Sequence, residues 1–244
     1  MTNQTKRVVM ITGASKGLGK ALALAFAKGG DKLVLCARNE PQLNEVALEA
    51  KALGAEVLSI VANIAIAKDV ECLVGSAEAH FGKIDVLINN ASILGPSPMP
   101  YLLDYPEEDF IEVLQVNTVG MFLVTRRVIA SMLQHNQGSI INLTSEAGNV
   151  GYAGWGAYGI SKFAVEGLTQ IWADEVSESA VRVNMVDPGE MNTSMHALAI
   201  PDCDYELAEP EAVVDVFLYL ASEAASSVHG QRFRAQEFVR EGIS

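Results

Sequence analysis

Cysteine is scarce in this chain: three among 244 residues, Cys36, Cys72 and Cys203, widely scattered and odd in number. None forms a CxxC pair, so they read as reduced thiols of a cytoplasmic protein rather than a disulfide framework. Histidine is equally thin. His80, His135, His196 and His229 show no metal-ligand spacing, read as surface or interface residues, and give no reason to expect a metal. Positive charge is short too, with 17 Lys and Arg against 30 Asp and Glu, a formal charge of −13. That balance argues against nucleic acid and against anionic membrane surfaces, because phosphate binding needs clustered cations. No apolar run approaches the length that spans a bilayer, and the polar opening MTNQTKR shows no signal-peptide pattern.

Apolar residues, by contrast, make up half of the chain, enough for a substantial core in one α/β domain of this length. Residues 7–12 (RVVMIT) form a short β-branched run ended by glycine, the pattern of a buried parallel strand. Further strands are expected at 32–37, 56–62, 84–89, 139–143, 181–186 and 231–235, with helices at 17–28, 40–53, 67–81, 104–135, 157–176 and 211–221. The proline-rich stretch 94–101 reads as loop. The long helix opens on Asp104-Tyr-Pro-Glu-Glu, with proline and acids in its first turn. Gly120 interrupts it where close helix packing is expected. Strands alternating with helices imply βαβ units. The fold class is therefore α/β: a doubly wound, Rossmann-like parallel sheet of about seven strands, helices on both faces, in a single domain spanning 1–244.

Between Ser145 and Lys162 the chain reads SEAGNVGYAGWGAYGISK. With the segment after Gly156 helical, Tyr158 and Lys162 stand one turn apart on one face. A phenol loses its proton near pH 10, and a neighbouring ammonium favours the phenolate. A shift of about two pKa units takes roughly 2.7 kcal/mol, within reach of a close, partly desolvated cation. Ser145 opposite the phenol can bind a carbonyl or alcohol oxygen, which makes an acid/base site for carbonyl reduction or alcohol oxidation. The plain alternative is a solvated Tyr/Lys surface pair.

After the first strand comes Thr12-Gly-Ala-Ser-Lys-Gly-Leu-Gly19. Gly13, Gly17 and Gly19 let the backbone turn tightly, approach a pyrophosphate and pack helix on strand. The helix start then meets the phosphates with free N–H groups. No lysine followed by Ser or Thr closes this loop, so a triphosphate P-loop is not expected. The second strand ends at Ala37-Arg38, where an NAD-binding fold carries an acid for the ribose hydroxyls. Arg38, with Lys16 on the same side, instead offers cations for a 2′-phosphate, favouring NADP(H) over NAD(H). A solvated charge is the alternative for each.

These motifs together resemble the short-chain dehydrogenase/reductase family in its compact form, over nearly the whole chain. They are TGASKGLG at 12–19, NNAS at 89–92, Asn117 in QVNTVG, Ser145, YGISK at 158–162 and DPGEMNT at 187–193. The resemblance implies a catalytic tetrad of Asn117, Ser145, Tyr158 and Lys162. Tyr158 would be the general acid or base, Ser145 the holder of the reacting oxygen, and Lys162 the group that acidifies the phenol and binds the nicotinamide ribose. Asn117 would kink its helix and support a water relay. The resemblance further implies cofactor contacts from Gly13, Ser15, Lys16, Gly17, Leu18 and Gly19, from Arg38, Asn63 and Ile64, from Asn90 and Ala91, and from Pro188, Gly189, Met191 and Thr193. Without it, Asn117 reads as a helix-packing residue, Ser145 as a turn cap and Thr193 as a helix cap. Asn63 stands where the family usually has an aspartate near the adenine, and Ser92 where it has a glycine.

Substrate contacts should come from loops 92–101, 146–157 and 191–208, at the carboxyl ends of strands. They carry Leu94, Met99, Tyr152, Trp155, Met195, Leu198 and Ile200 and no arginine, which suits a neutral small-molecule ketone, aldehyde or secondary alcohol. The resemblance also implies a homo-oligomer, dimer or tetramer, built on the 104–135 and 157–176 helices and the segment from Val228. Two other readings are a cofactor-retaining epimerase or dehydratase and a nucleotide-binding sensor or scaffold. Neither needs all four tetrad residues with this loop spacing and length.

Overall fold

The computed structural model describes residues 6–239; the opening MTNQT, on which the absence of a signal peptide was expected, lies outside them. Seven parallel strands form one sheet: β1 (Val8–Thr12), β2 (Lys32–Ala37), β3 (Val57–Val61), β4 (Val86–Asn89), β5 (Gly138–Leu143), β6 (Val181–Asp187) and β7 (Arg232–Arg234). Their order is β3-β2-β1-β4-β5-β6-β7. The helices are α1 (Gly17–Lys28), α2 (Glu40–Ala52), α3 (Ala67–Phe81), α4 (Glu107–Leu114), α5 (Met121–His135), α6 (Gly156–Glu175), α7 (Ser194–Ala199) and α8 (Asp215–Leu220). The chain winds outward from β1 in one direction and from β4 in the other, which gives the doubly wound, Rossmann-like domain that the alternation implied.

Both faces of the sheet are covered, which is why its strands read as continuous apolar runs. Val9 and Ile11 pack under α1, α2 and α8 with Leu22, Phe26, Leu43 and Phe217. Met10 and Val34 face the other way, toward Leu73 of α3 and Val124 and Val128 of α5. Polar side chains inside this layer pair with one another. The Asn89 amide donates to Thr125 Oγ1 at 2.9 Å and to Asn142 Oδ1 at 2.8 Å, and Asn142 donates to Thr169 Oγ1 at 3.0 Å. These contacts lock β4 and β5 to α5 and α6, though Asn89 Oδ1 itself is buried without a partner.

The helix expected at 104–135 is divided. A single-turn 3₁₀ segment precedes α4, and a π-helical turn, Gln115–Gly120, separates α4 from α5. At Gly120 a Cβ would lie 2.8 Å from Ile64 Cγ1, so the close packing expected there is present. The 29-residue stretch Glu107–His135 is also long and apolar enough to cross a membrane by length and composition, which corrects the reading that no run approaches that length. Half of its apolar window is buried inside the domain, as in a core helix covering a sheet. The helix expected at 211–221 is a 3₁₀ turn, Pro210–Val213, followed by the shorter α8, and the helix for which Thr193 read as a cap is α7.

Candidate active site

The carboxyl ends of the central strands open onto a cleft of about 1230 Å³, at the point between β1 and β4 where the strand order reverses. At one end lies the glycine loop. Gly13 has φ +68°, and a Cβ there would sit 2.8 Å from Ala91 Cα, so the loop passes the next strand end with no room for a side chain. The NNAS motif braces that loop. Asn90 Nδ2 donates to the Thr12 and Gly13 carbonyls at 2.9 and 3.0 Å, and Thr12 Oγ1 accepts from the Asn90 and Ala91 amides at 3.1 Å each. Gly19 is the exception among the expected cofactor residues, for it does not line the cleft. A Cβ at Gly19 would collide with the Gly13 carbonyl oxygen, which makes it the packing glycine beneath the loop.

Ser15, Lys16, Gly17 and Leu18 line the cleft where α1 begins. No side chain caps that helix start, so first-turn N–H groups are left for an anion. Arg38, exposed at the end of β2, lines the same end of the cleft, as do Asn63 and Ile64. Asn63 Oδ1 accepts from the Ala65 amide at 3.1 Å, and the Asn63 backbone N–H donates to Asp69 Oδ2 at 3.0 Å. The amide oxygen thus holds the turn and leaves the NH₂ disengaged. Ser92 is not at positive φ, so serine strains nothing where glycine was usual. Its Oγ is buried without a hydrogen-bond partner, and the residue lines the cleft.

The other end is made by β5, α6 and β6. Ser145 begins the turn after β5 and its Oγ accepts from the Ala147 amide at 3.3 Å, so the turn cap and the cleft position coexist. Tyr158 and Lys162 both line the cleft from α6, one turn apart. Lys162, 4% exposed, donates to the Leu143 carbonyl at 3.0 Å and lies 5.4 Å from the centre of the Tyr158 ring. The expected acidification of the phenol by this lysine is not found. Burial pushes Tyr158 up to about 12, the neighbouring Ser145 hydroxyl works the other way, and Asp187 adds to the rise. Burial also pushes Lys162 down to about 8, while Asp187 holds it up. The cation sits against the ring, not at the hydroxyl, and desolvation of both groups outweighs their proximity.

Asn117 stands in the π-helical turn, behind the cleft wall. Its amide exchanges two bonds of 2.8 Å with the backbone of Ile93 and donates to Ser161 Oγ at 3.0 Å. Its place in a distorted helix agrees with the expected kink, and its side chain ties the loop after β4 to α6. Pro188, Gly189, Met191 and Thr193 all line the cleft. Thr193 Oγ1 caps α7, accepting from the His196 amide at 3.2 Å, and its hydroxyl proton remains available to the cleft. Of the residues expected to meet substrate, Leu94, Tyr152, Trp155, Met195 and Ile200 line the cleft, and Met99 and Leu198 do not.

Asp187, Arg234 and Gln236 were missed as cleft residues. Gln236 Nε2 donates to the carbonyls of Pro188 and Glu190 at 3.2 and 2.8 Å. The signal was the rule already applied to other strands, since β7 is expected from sequence and its carboxyl end lies beside that of β6, with Asp187 opposite Arg234.

An uncapped helix start, a glycine loop pressed against the end of β4 with no room for a side chain at Gly13, and an orphaned Ser92 hydroxyl together fit a dinucleotide. The comparisons agree. Residues 7–203 match the short chain dehydrogenase family. A 3-oxoacyl-[acyl-carrier-protein] reductase of Synechocystis sp. is 37% identical over 241 residues, 96% of each chain. A solved chain from Pseudomonas syringae, 39% identical, superposes with a TM-score of 0.90 over 94% of both chains. A Shigella flexneri 2a chain solved with NADP is 29% identical, with a TM-score of 0.89 over 94% of this chain and 97% of that one.

Proposed function

The chain belongs to the short-chain dehydrogenase/reductase family, and on that basis we propose that it is an NADP(H)-dependent oxidoreductase interconverting a ketone or aldehyde and an alcohol. The observation that carries this reading is the Tyr158 phenol facing the Ser145 hydroxyl at the end of the cleft, with Lys162 buried beside the ring. When bound, the cofactor supplies or accepts the hydride at the substrate carbon. Ser145 holds the substrate oxygen by donating its hydroxyl hydrogen, while its own oxygen stays fixed by Ala147. Tyr158 then gives its proton to that oxygen in reduction and takes it back in oxidation. A phenol pushed up to about 12 is protonated at neutral pH, the form that proton donation in reduction requires. Lys162, with a pKa lowered to about 8, would hold the nicotinamide ribose and pass protons onward. Asn117 keeps α6 and the loop after β4 in register.

Preference for NADP(H) rests on Ala37, which offers no carboxylate to the ribose, and on the exposed cations of Arg38 and Lys16. The NADP bound to the Shigella relative supports it. With its oxygen engaged, Asn63 would offer adenine a donor where a carboxylate offers an acceptor. The apolar, aromatic wall of Trp155, Tyr152 and Met195 suits a neutral substrate, and the Synechocystis relative, named as a reductase of a 3-oxoacyl group, supports a ketone. We also propose a cytoplasmic homo-oligomer, supported by apolar side chains left exposed on α6 and α4, Ile160, Phe163, Ile171 and Ile111.

The test is a panel of ketones, aldehydes and secondary alcohols, followed by NADPH and NADH absorbance in both directions. Turnover is expected with NADPH at lower concentration than with NADH. No turnover with either cofactor across the panel would overturn the reading.

A further inference from the structure

Behind the cleft lies a group that the acid/base chemistry does not itself use. Arg232, on β7, points under the end of β5. Its Nε donates to Glu166 Oε1 at 2.9 Å, and one terminal nitrogen, Nη2, donates both to Asp187 Oδ2 at 3.0 Å and to the backbone carbonyl of Ser145 at 3.2 Å. The acceptors are themselves tied in. Glu166 Oε1 also accepts from Thr144 Oγ1 at 2.8 Å, and Asp187 Oδ1 accepts from the Gly189 amide at 3.0 Å. One guanidinium therefore joins α6, the ends of β5 and β6, and the turn that follows β6. Its side chain is 20% exposed, and those of Glu166 and Asp187 are 11% and 8%.

The charges there balance. Lys162 and Arg232 face Asp187 and Glu166, and Glu166 lies one turn beyond Lys162 on α6. The other groups that Lys162 touches are neutral: the Leu143 carbonyl at the end of β5 and the Tyr158 ring on α6. Asp187 is the carboxylate that acts on both Tyr158 and Lys162. Taking away Arg232 would leave Asp187 opposed by Lys162 alone and would remove one of the two hydrogen bonds on the Ser145 carbonyl, the other coming from the Gly148 amide at 2.9 Å.

We infer that Arg232 is a positioning residue for the proton-transferring set, holding Ser145 by its carbonyl and balancing Asp187 behind Tyr158 and Lys162. The inference rests on the hydride-transfer reading for its meaning, but its test does not need turnover. The full chain is labelled with isotope-enriched lysine and titrated by NMR, the Lys162 signal being the one that Lys162→Met removes. In Arg232→Met an excess negative charge should raise the Lys162 titration by about one pH unit. The Arg232→Met/Asp187→Asn double variant, again balanced, should return it to the wild-type position. Where turnover is measured, the alkaline limb of alcohol oxidation should move upward with it, since the same charge disfavours the phenolate.

Arg232→Lys keeps the charge but has no fork to reach three acceptors. It should leave the titration in place while lowering kcat more than it changes KM, as expected if the Ser145 carbonyl has lost one of its two hydrogen bonds. If Arg232→Met does not fold, Asp187→Asn alone should lower the Lys162 titration below that of the wild type. An unmoved Lys162 in a folded Arg232→Met chain, an unmoved one in Asp187→Asn, or a shift that the double variant does not reverse would each overturn the charge balance. An inactive wild-type chain that still shows the shift would overturn the hydride-transfer reading instead.

Discussion

The two ends of the cleft recognise charge in opposite ways. At the glycine loop, the groups that would meet phosphates are backbone N–H donors at an uncapped helix start and two exposed cations, Lys16 and Arg38. At the Tyr158 end, the working groups are a buried ammonium and a desolvated phenol, held among Asp187, Glu166 and Arg232. Water screens the first set and leaves each of its members independent. The second set sits in low dielectric, where each charge sets the pKa of the others. Under the proposed function, binding and proton transfer are separable along one cleft.

The largest expected effect tests that separation directly. Tyr158→Phe should reduce turnover about 1,000-fold, within the range of general acid–base catalysis, while NADPH affinity by fluorescence titration stays within about threefold. Equal loss of binding and turnover would mean the two ends are not independent.

Lys162→Met comes next, read by chemical denaturation against pH. Burial lowers this ammonium from 10.5 to about 8 in the folded chain, so the folded state binds fewer protons than the unfolded one between those values. The lysine's burden on stability is complete below pH 8 and fades as pH rises toward 10.5. The stability of the variant minus that of the wild type should therefore fall by roughly 3 kcal/mol across that window. A flat difference would show that the ammonium is not desolvated.

At the opposite end, Arg38→Asp should weaken NADPH about 100-fold and NADH only a few fold, measured by direct titration with each. Equal weakening would remove Arg38 as the selector and with it the contrast between screened and buried charge. The smallest effect belongs to Ser92→Gly. Because Ser92 has no positive φ to relieve, stability should change by less than about 1 kcal/mol, while cofactor affinity falls a few fold if the orphaned hydroxyl serves the ligand. Unchanged affinity would leave that hydroxyl without a role at either end.

Local spacing made the cofactor end readable. The glycines, the missing acid at Ala37 and the cation at Arg38 are close in sequence to the strand ends that display them, so a motif and its place coincide. For Gly19 the packing role read from the loop holds and the cofactor contact does not, because its Cα is pressed against the Gly13 carbonyl and the residue does not line the cleft. The proton end was readable only as a list of residues. Tyr158 and Lys162 share a helix face whatever surrounds them, yet the direction of each pKa depends on burial and on Asp187, which arrives from another strand. The π turn at Asn117 was foreseen only as a kink, since its bonds to Ile93 and Ser161 cross between elements.

The parallel sheet, its seven strands and the glycine loop at the end of the first of them followed from the residues themselves, because each rests on local geometry and short-range periodicity. Which carboxylate lies near the phenol and which arginine pairs with that carboxylate follow from the tertiary structure alone. Those depend on distances between segments far apart in the chain and on how much water is left between them, and no local pattern encodes either.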